Sequence, residues 1–150
     1  MLPEKLVDVY RGDLVECSHY GHVVISNSLG EILAYWGNPD ALIYPRSSCK
    51  IIQALPLLET GSAKQFSLGP KHLALACASH SGGEIHLNVA KDWLQKIELN
   101  EQDLLCGCHL PYDKTQTKKL KKNGEKPCQL HNNCSGKHLS FLTISKTIFH

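Results

Sequence analysis

The chain has 150 residues, with 16 Lys or Arg against 14 Asp or Glu, 42% hydrophobic residues and 20% charged. That length holds one domain or a piece of a larger one, and folding at this size buries roughly 70% of the unfolded surface, enough for a core without disulfides or metal. The composition excludes a disordered chain, and a net charge of +2 is too small to demand nucleic acid or an anionic membrane as partner.

The N-terminus, Met1-Leu2-Pro3-Glu4-Lys5-Leu6, has neither the apolar stretch nor the small-residue cleavage site of a signal peptide. No apolar run reaches the roughly 18 residues of a membrane span. The expectation is a soluble cytoplasmic protein. Its seven cysteines are then read as thiols or ligands rather than as a disulfide framework.

Val7 to Tyr10 reads as a strand stopping at Arg11-Gly12, and Leu14 to Ser18 as a short mixed segment. Val23 to Ser26 and Ile32 to Tyr35 flank Asn27-Ser28-Leu29-Gly30, a hairpin pattern with turn residues at its centre. Gly37 to Asp40 and Tyr44-Pro45 break the chain. Ser47-Ser48 then cap a predicted helix over 49–58, with Ile51, Ile52, Leu55 and Leu58 as its apolar stripe and Pro56 as a kink or early end. The stretch 70–78 is apolar almost all round and is expected to be a buried helix. A third helix is expected over 84–97, with Ile85, Val89, Trp93 and Leu94 on its core side. Residues 106–131 read as irregular, and the run Lys118-Lys119-Leu120-Lys121-Lys122 as a solvated loop. Without interleaved aromatics that run does not point to nucleic acid. Strands first and helices after predict an α+β fold.

Three segments carry residues fit for chemistry. In Ser47-Ser48-Cys49-Lys50, helical spacing puts Ser47 and Lys50 on one face, where a lysine amine can take the serine proton. Arg46 beside them can hold a carboxylate through paired hydrogen bonds. Ser79-His80-Ser81-Gly82 ends the buried helix, where low dielectric strengthens each polar contact. The last segment is Asn132-Asn133-Cys134-Ser135-Gly136-Lys137-His138. There Cys134 and His138 have the spacing of zinc ligands on one helical face, and Gly136 leaves room for close backbone approach beside amides that favour an anion. Cys106 and Cys108 lack zinc-finger spacing and read as structural, and Cys17, Cys77 and Cys128 as small packing residues.

These segments, in this order, resemble the L-asparaginase II family. The resemblance runs through Arg11-Gly12, Val15 to Gly21, Tyr44 to Lys50, Gln53 to Pro56, Ala74 to Gly82 and Cys106-Gly107, and is most specific in His131 to His138. It implies a fold similar to that of serine β-lactamases and glutaminases, which also use a Ser-x-x-Lys pair, and hydrolysis of L-asparagine to L-aspartate and ammonia. It places a catalytic tandem on Ser47 and Lys50, the serine of a second tandem on Ser79, and two zinc ligands on Cys134 and Lys137 in place of the Cys134–His138 pair. Arg46, His80, Gly136 and His138 then fall on the substrate side or just behind it.

The sequence departs from the family pattern at Cys17, where serine is commoner, and at Cys49, where alanine is commoner. Family members also continue further. The expectation is therefore the N-terminal portion of a single asparaginase II domain, with the lysine of the second tandem and the third zinc ligand outside this chain, and with a homodimer as a candidate assembly. Two rivals follow: an inactive remnant acting as an interaction module, and a penicillin-binding acyl-enzyme. The second requires Ser-Asp-Asn and Lys-Thr-Gly, to which Ser79-His80-Ser81 and Lys146-Thr147-Ile148 are the poor nearest approaches.

Overall fold

The structure is a computed structural model that describes residues 1–149. Among the described residues four strands precede six α-helices, so the α+β reading holds. The chain forms two compact units, Met1–Tyr44 and Pro45–His150.

The first unit consists of two antiparallel hairpins, each its own two-stranded sheet. Strand β1 (Glu4–Arg11) pairs with β2 (Leu14–Gly21), and β3 (Val23–Ser26) with β4 (Ile32–Trp36). The second hairpin is the one expected. Asn27 closes it: its side-chain oxygen accepts from the amides of Leu29 and Glu31, and Gly30 takes the left-handed conformation at φ 83°. The segment from Leu14, expected to be short, is a full strand. Its pairing absorbs two register shifts, and such irregularities blur the period-2 alternation that sequence reading depends on.

The second unit holds helices α1 (Lys50–Glu59), α2 (Ser62–Gln65), α3 (Pro70–Cys77), α4 (Glu84–Lys96), α5 (Lys114–Asn123) and α6 (Ser135–Phe149). Its core gathers Leu57, Leu75, Leu87, Ala90, Trp93, Ile97, Leu104, Leu130 and Leu139. Trp93 is fully enclosed, and its indole N–H donates to Thr143 Oγ1 of α6 at 2.9 Å, which satisfies its one polar atom. None of these helices is long and apolar enough to cross a membrane.

Several expectations change here. Helix α1 runs through Pro56 to Glu59 and starts without a serine side-chain cap, since Ser48 Oγ donates back to the Pro45 carbonyl. Its expected stripe of Ile51, Ile52, Leu55 and Leu58 is exposed, and the side packed against α3 and α6 is Lys50, Ala54 and Leu57. In α3 only His72, Leu75 and Ala76 are buried. In α4 the buried face is Leu87, Ala90, Trp93 and Leu94, while Ile85 is exposed. The basic run is not a loop. It lies on α5, where Asp113 Oδ1 caps the Gln116 amide at 2.7 Å, Gly124 ends the helix at φ 64°, and Leu120 is buried among solvated lysines.

Helices α3 and α6 cross in near contact. A Cβ built on Gly136 would lie 2.1 Å from the Leu75 carbonyl oxygen. The close backbone approach expected at Gly136 is made by the backbone of α3.

Candidate active site

The site forms where the start of α1, the end of α3 and the start of α6 converge. Before α1 the chain makes one tight 3₁₀ turn, Arg46–Cys49, entered with Arg46 at φ 47°. That is a left-handed conformation that a residue with a Cβ adopts at a cost, and it orients the turn carrying Ser47. The turn leads into Lys50, the first residue of α1.

Lys50 is only 2% exposed. Its Nζ donates to the Ala78 carbonyl at 2.8 Å, to Ser79 Oγ at 2.9 Å and to the Asn133 carbonyl at 3.4 Å. The Ala78 carbonyl ends α3, where helix geometry leaves carbonyls unpaired and the dipole favours a cation. The three acceptors match an ammonium's three N–H groups. They also match a neutral amine, whose two N–H groups go to the carbonyls while its lone pair faces the serine hydroxyl. The amine can thus hold or release a proton without moving.

Ser47 does not meet Lys50 as the helical spacing predicts. Among the described residues no hydrogen bond joins them, because the 3₁₀ turn carries Ser47 to an exposed position. Lys50 instead reaches across to the end of α3. Ser47 still shares a cleft of about 250 Å³ with Lys50, and Arg46, Gln53, Cys134 and Lys137 complete its lining. Ser79 is not part of that lining and meets it through its 2.9 Å hydrogen bond with Lys50. Ser79 too is exposed, so the burial expected for its segment is found at His80 and Gly82, and for the first segment at Lys50.

Gln53 is the lining residue that the candidates from the sequence omitted. One helical turn beyond Lys50, it shares that lysine's face, and the spacing was the available signal.

His80 lies behind the cleft rather than in it. It is 4% exposed, its Nδ1 accepts from the Gly82 amide at 3.1 Å, and its Nε2 therefore carries the proton, which it donates to Ser135 Oγ at 2.9 Å. Its backbone amide donates to the Asn133 carbonyl at 3.2 Å, the acceptor that also serves Lys50. His80 thus ties the Ser79 segment to the start of α6. Burial, then the neighbouring His86 and Lys50, hold its pKa down at about 4.

The unfolded chain, with histidine near 6.5, binds this proton first as pH falls. The contribution of neutral His80 is therefore complete above about pH 6.5, lost progressively toward pH 4, and on the order of 3 kcal/mol. His131 and His138 are displaced downward as well, chiefly by burial, and add to the same slope. Urea denaturation should show a clear loss of stability between pH 7 and pH 4.5, with a flatter profile in His80→Asn. Equal midpoints at the two pH values would refute this account.

Metal binding can be weighed on the donors present. Cys134 and Lys137 line the cleft, whereas His138 turns to Phe141, with ring centroids 6.5 Å apart. Cys134 and His138 are one helical turn apart, the His138 amide donating to the Cys134 carbonyl at 3.2 Å, but of the two only Cys134 lines the cleft. A closed zinc site needs four donors, and among the described residues no three His, Cys, Asp or Glu side chains gather. Cys134 and Lys137, the two donors that the resemblance assigns to zinc, thus face the same cleft.

The penicillin-binding pattern fails on geometry. Lys146 lies on α6 and donates to the Ile97 carbonyl at 2.7 Å, committed to packing rather than to a site.

Comparison with curated proteins gives no match. The family model described as L-asparaginase II matches residues 7–148, nearly the whole chain and every residue of the cleft. The chain belongs to the L-asparaginase II family.

Proposed function

We propose that this chain carries an asparagine amidohydrolase site in which Ser79 is the nucleophile and Lys50 its base. The observation behind the reading is the buried Lys50 amine, 2.9 Å from Ser79 Oγ and backed by two carbonyls. A serine hydroxyl becomes a useful nucleophile when a positioned base takes its proton, and this amine is positioned for that.

In this mechanism Ser79 Oγ bonds to the carboxamide carbon of L-asparagine while its proton passes to Lys50 Nζ. The tetrahedral oxyanion collapses, the C–N bond breaks, and the nitrogen leaves as ammonia with the proton returned from Lys50. Water then attacks the acyl ester, giving its proton to the same amine. The ester bond breaks, Ser79 recovers its hydrogen, and aspartate departs. Ser47, on the cleft wall, offers a hydroxyl to the carboxamide, and Arg46 offers a paired contact to the substrate carboxylate. His80 keeps the Ser79 segment in place, a supporting role in this reading rather than a substrate contact. The family's likeness to serine β-lactamases and glutaminases extends the proposal to the fold.

The test is to incubate the purified chain with L-asparagine and measure ammonia and aspartate. Equal amounts of the two are expected. Ser79→Ala and Ser47→Ala should each remove turnover with far-UV circular dichroism unchanged. A wild-type chain that releases no ammonia would overturn the reading, and full activity in Ser79→Ala would overturn the assignment of the nucleophile.

A further inference from the structure

The acceptor that helps hold Lys50 belongs to Asn133, and the loop after α4 fixes the orientation of that residue. Two peptide planes flank the Asn133 Cα, and because each peptide is planar, pinning both fixes where the carbonyl points. The plane after it carries the Asn133 carbonyl and the Cys134 amide. That amide donates to Asn132 Oδ1 at 2.8 Å, and Asn132 is tethered through Nδ2 to the Cys106 and Gly107 carbonyls at 2.7 and 3.2 Å. The plane before it carries the Asn133 amide, which donates to His109 Nε2 at 3.2 Å.

The ring of His109 is held in the tautomer this contact needs. Its Nδ1 lies 2.8 Å from the Leu110 carbonyl. A carbonyl only accepts, so Nδ1 carries the proton and Nε2 presents a lone pair. Tyr112 packs against the same ring at 5.4 Å between centroids. His109 is half-buried and does not line the cleft. It reaches the chemistry through one peptide.

We infer that His109 is a positioning residue that aims the Asn133 carbonyl at the Lys50 amine. With the Nε2 acceptor gone, the plane before Asn133 is held only at its Asn132 carbonyl, by the Ser135 amide at 3.0 Å. The Asn133 Cα can then shift, the Asn133 carbonyl in the next plane tilts away, and the amine loses one of the two carbonyls that orient its lone pair toward Ser79. The effect on turnover rests on the Ser79–Lys50 reading, whereas the effect on the Asn133 amide does not.

The experiment compares His109→Phe, which keeps a ring beside Tyr112 without an acceptor, with His109→Gln, whose carboxamide oxygen reaches about as far as Nε2. Hydrogen exchange at the Asn133 amide, read by NMR with the Trp93 amide as the measure of global stability, should be about tenfold faster or more in the Phe variant. In His109→Gln it should stay near the wild-type rate. With L-asparagine, the Phe variant should lose about tenfold in kcat at nearly constant KM, and the Gln variant should retain most of it. Wild-type protection of the Asn133 amide in His109→Phe would overturn the inference. So would a Gln variant whose Asn133 amide exchanges about tenfold faster than in wild type while its Trp93 amide stays protected, a result that stands even if the Phe variant does not fold. A wild-type chain without turnover would sink the amidohydrolase reading, and the exchange rates would still decide the role of His109.

Discussion

Lys50→Met is expected to lower asparagine turnover by about a thousandfold or more, at the upper end of what a positioned base contributes. The variant keeps an unbranched side chain of similar length in the same buried slot, so packing is largely preserved. It strips the Ala78 carbonyl of its donor, which should cost about 1–3 kcal/mol, whereas the Asn133 carbonyl keeps the His80 amide at 3.2 Å. Lys50→Arg separates charge from basicity. The guanidinium keeps a positive charge and several donors at the end of α3 but is never deprotonated at working pH, so it should be nearly as inactive as the Met variant. Ammonia release, measured beside denaturant titrations of all three proteins, checks both halves. An Arg variant within about tenfold of wild type would mean that no proton is taken by residue 50.

Gly136→Ala should be the most damaging single-methyl change in the second unit. Its new Cβ would meet the Leu75 carbonyl oxygen at 2.1 Å, the carbonyl carbon at 2.6 Å and Leu75 Cγ at 2.8 Å. Two of these atoms are backbone, so no rotamer change relieves the contact, and α3 and α6 must move apart. Overpacking of this kind costs about 3 kcal/mol, well beyond the ~1 kcal/mol that Ala gains over Gly in a helix interior. The displacement would also separate the end of α3, with Ser79, from the start of α6, with Asn133, and loosen the three-way contact at Lys50. Urea denaturation should report the loss and the ammonia assay a parallel fall. A variant as stable as the parent would show that the two helices do not cross this closely.

Much of the local structure was legible because the signals were local. Asn27 and Gly30 announced the β3–β4 turn, and the period of α4 gave that helix within a residue of its observed end. Helix α5 was missed although its ends carry signals. Asp113 at its start and Gly124 past its end are ordinary cap residues, but the density of lysine obscured them. The burial of α1 was not legible from hydrophobicity, which favoured Ile51, Ile52, Leu55 and Leu58 over the face that the fold uses. That face includes Lys50, and a lysine is placed inside only when acceptors wait there. Those acceptors stand 28, 29 and 83 residues away in the chain.

The sequence by itself determined which segments carry the family resemblance. Ser47, Lys50, Ser79, Cys134 and Lys137 stand in motifs whose residue types and order were enough to indicate the family before any coordinates. Only the tertiary structure decided who pairs with whom. Local spacing offered Ser47 to Lys50, but a 3₁₀ turn set one apart while the unpaired carbonyl ending α3 drew the other to Ser79. It also brought Gly136 against the backbone of α3 and left His80 and His109 outside the cleft lining. Hydrogen bonds and close contacts such as these depend on distances through space, which residue spacing along the chain does not encode.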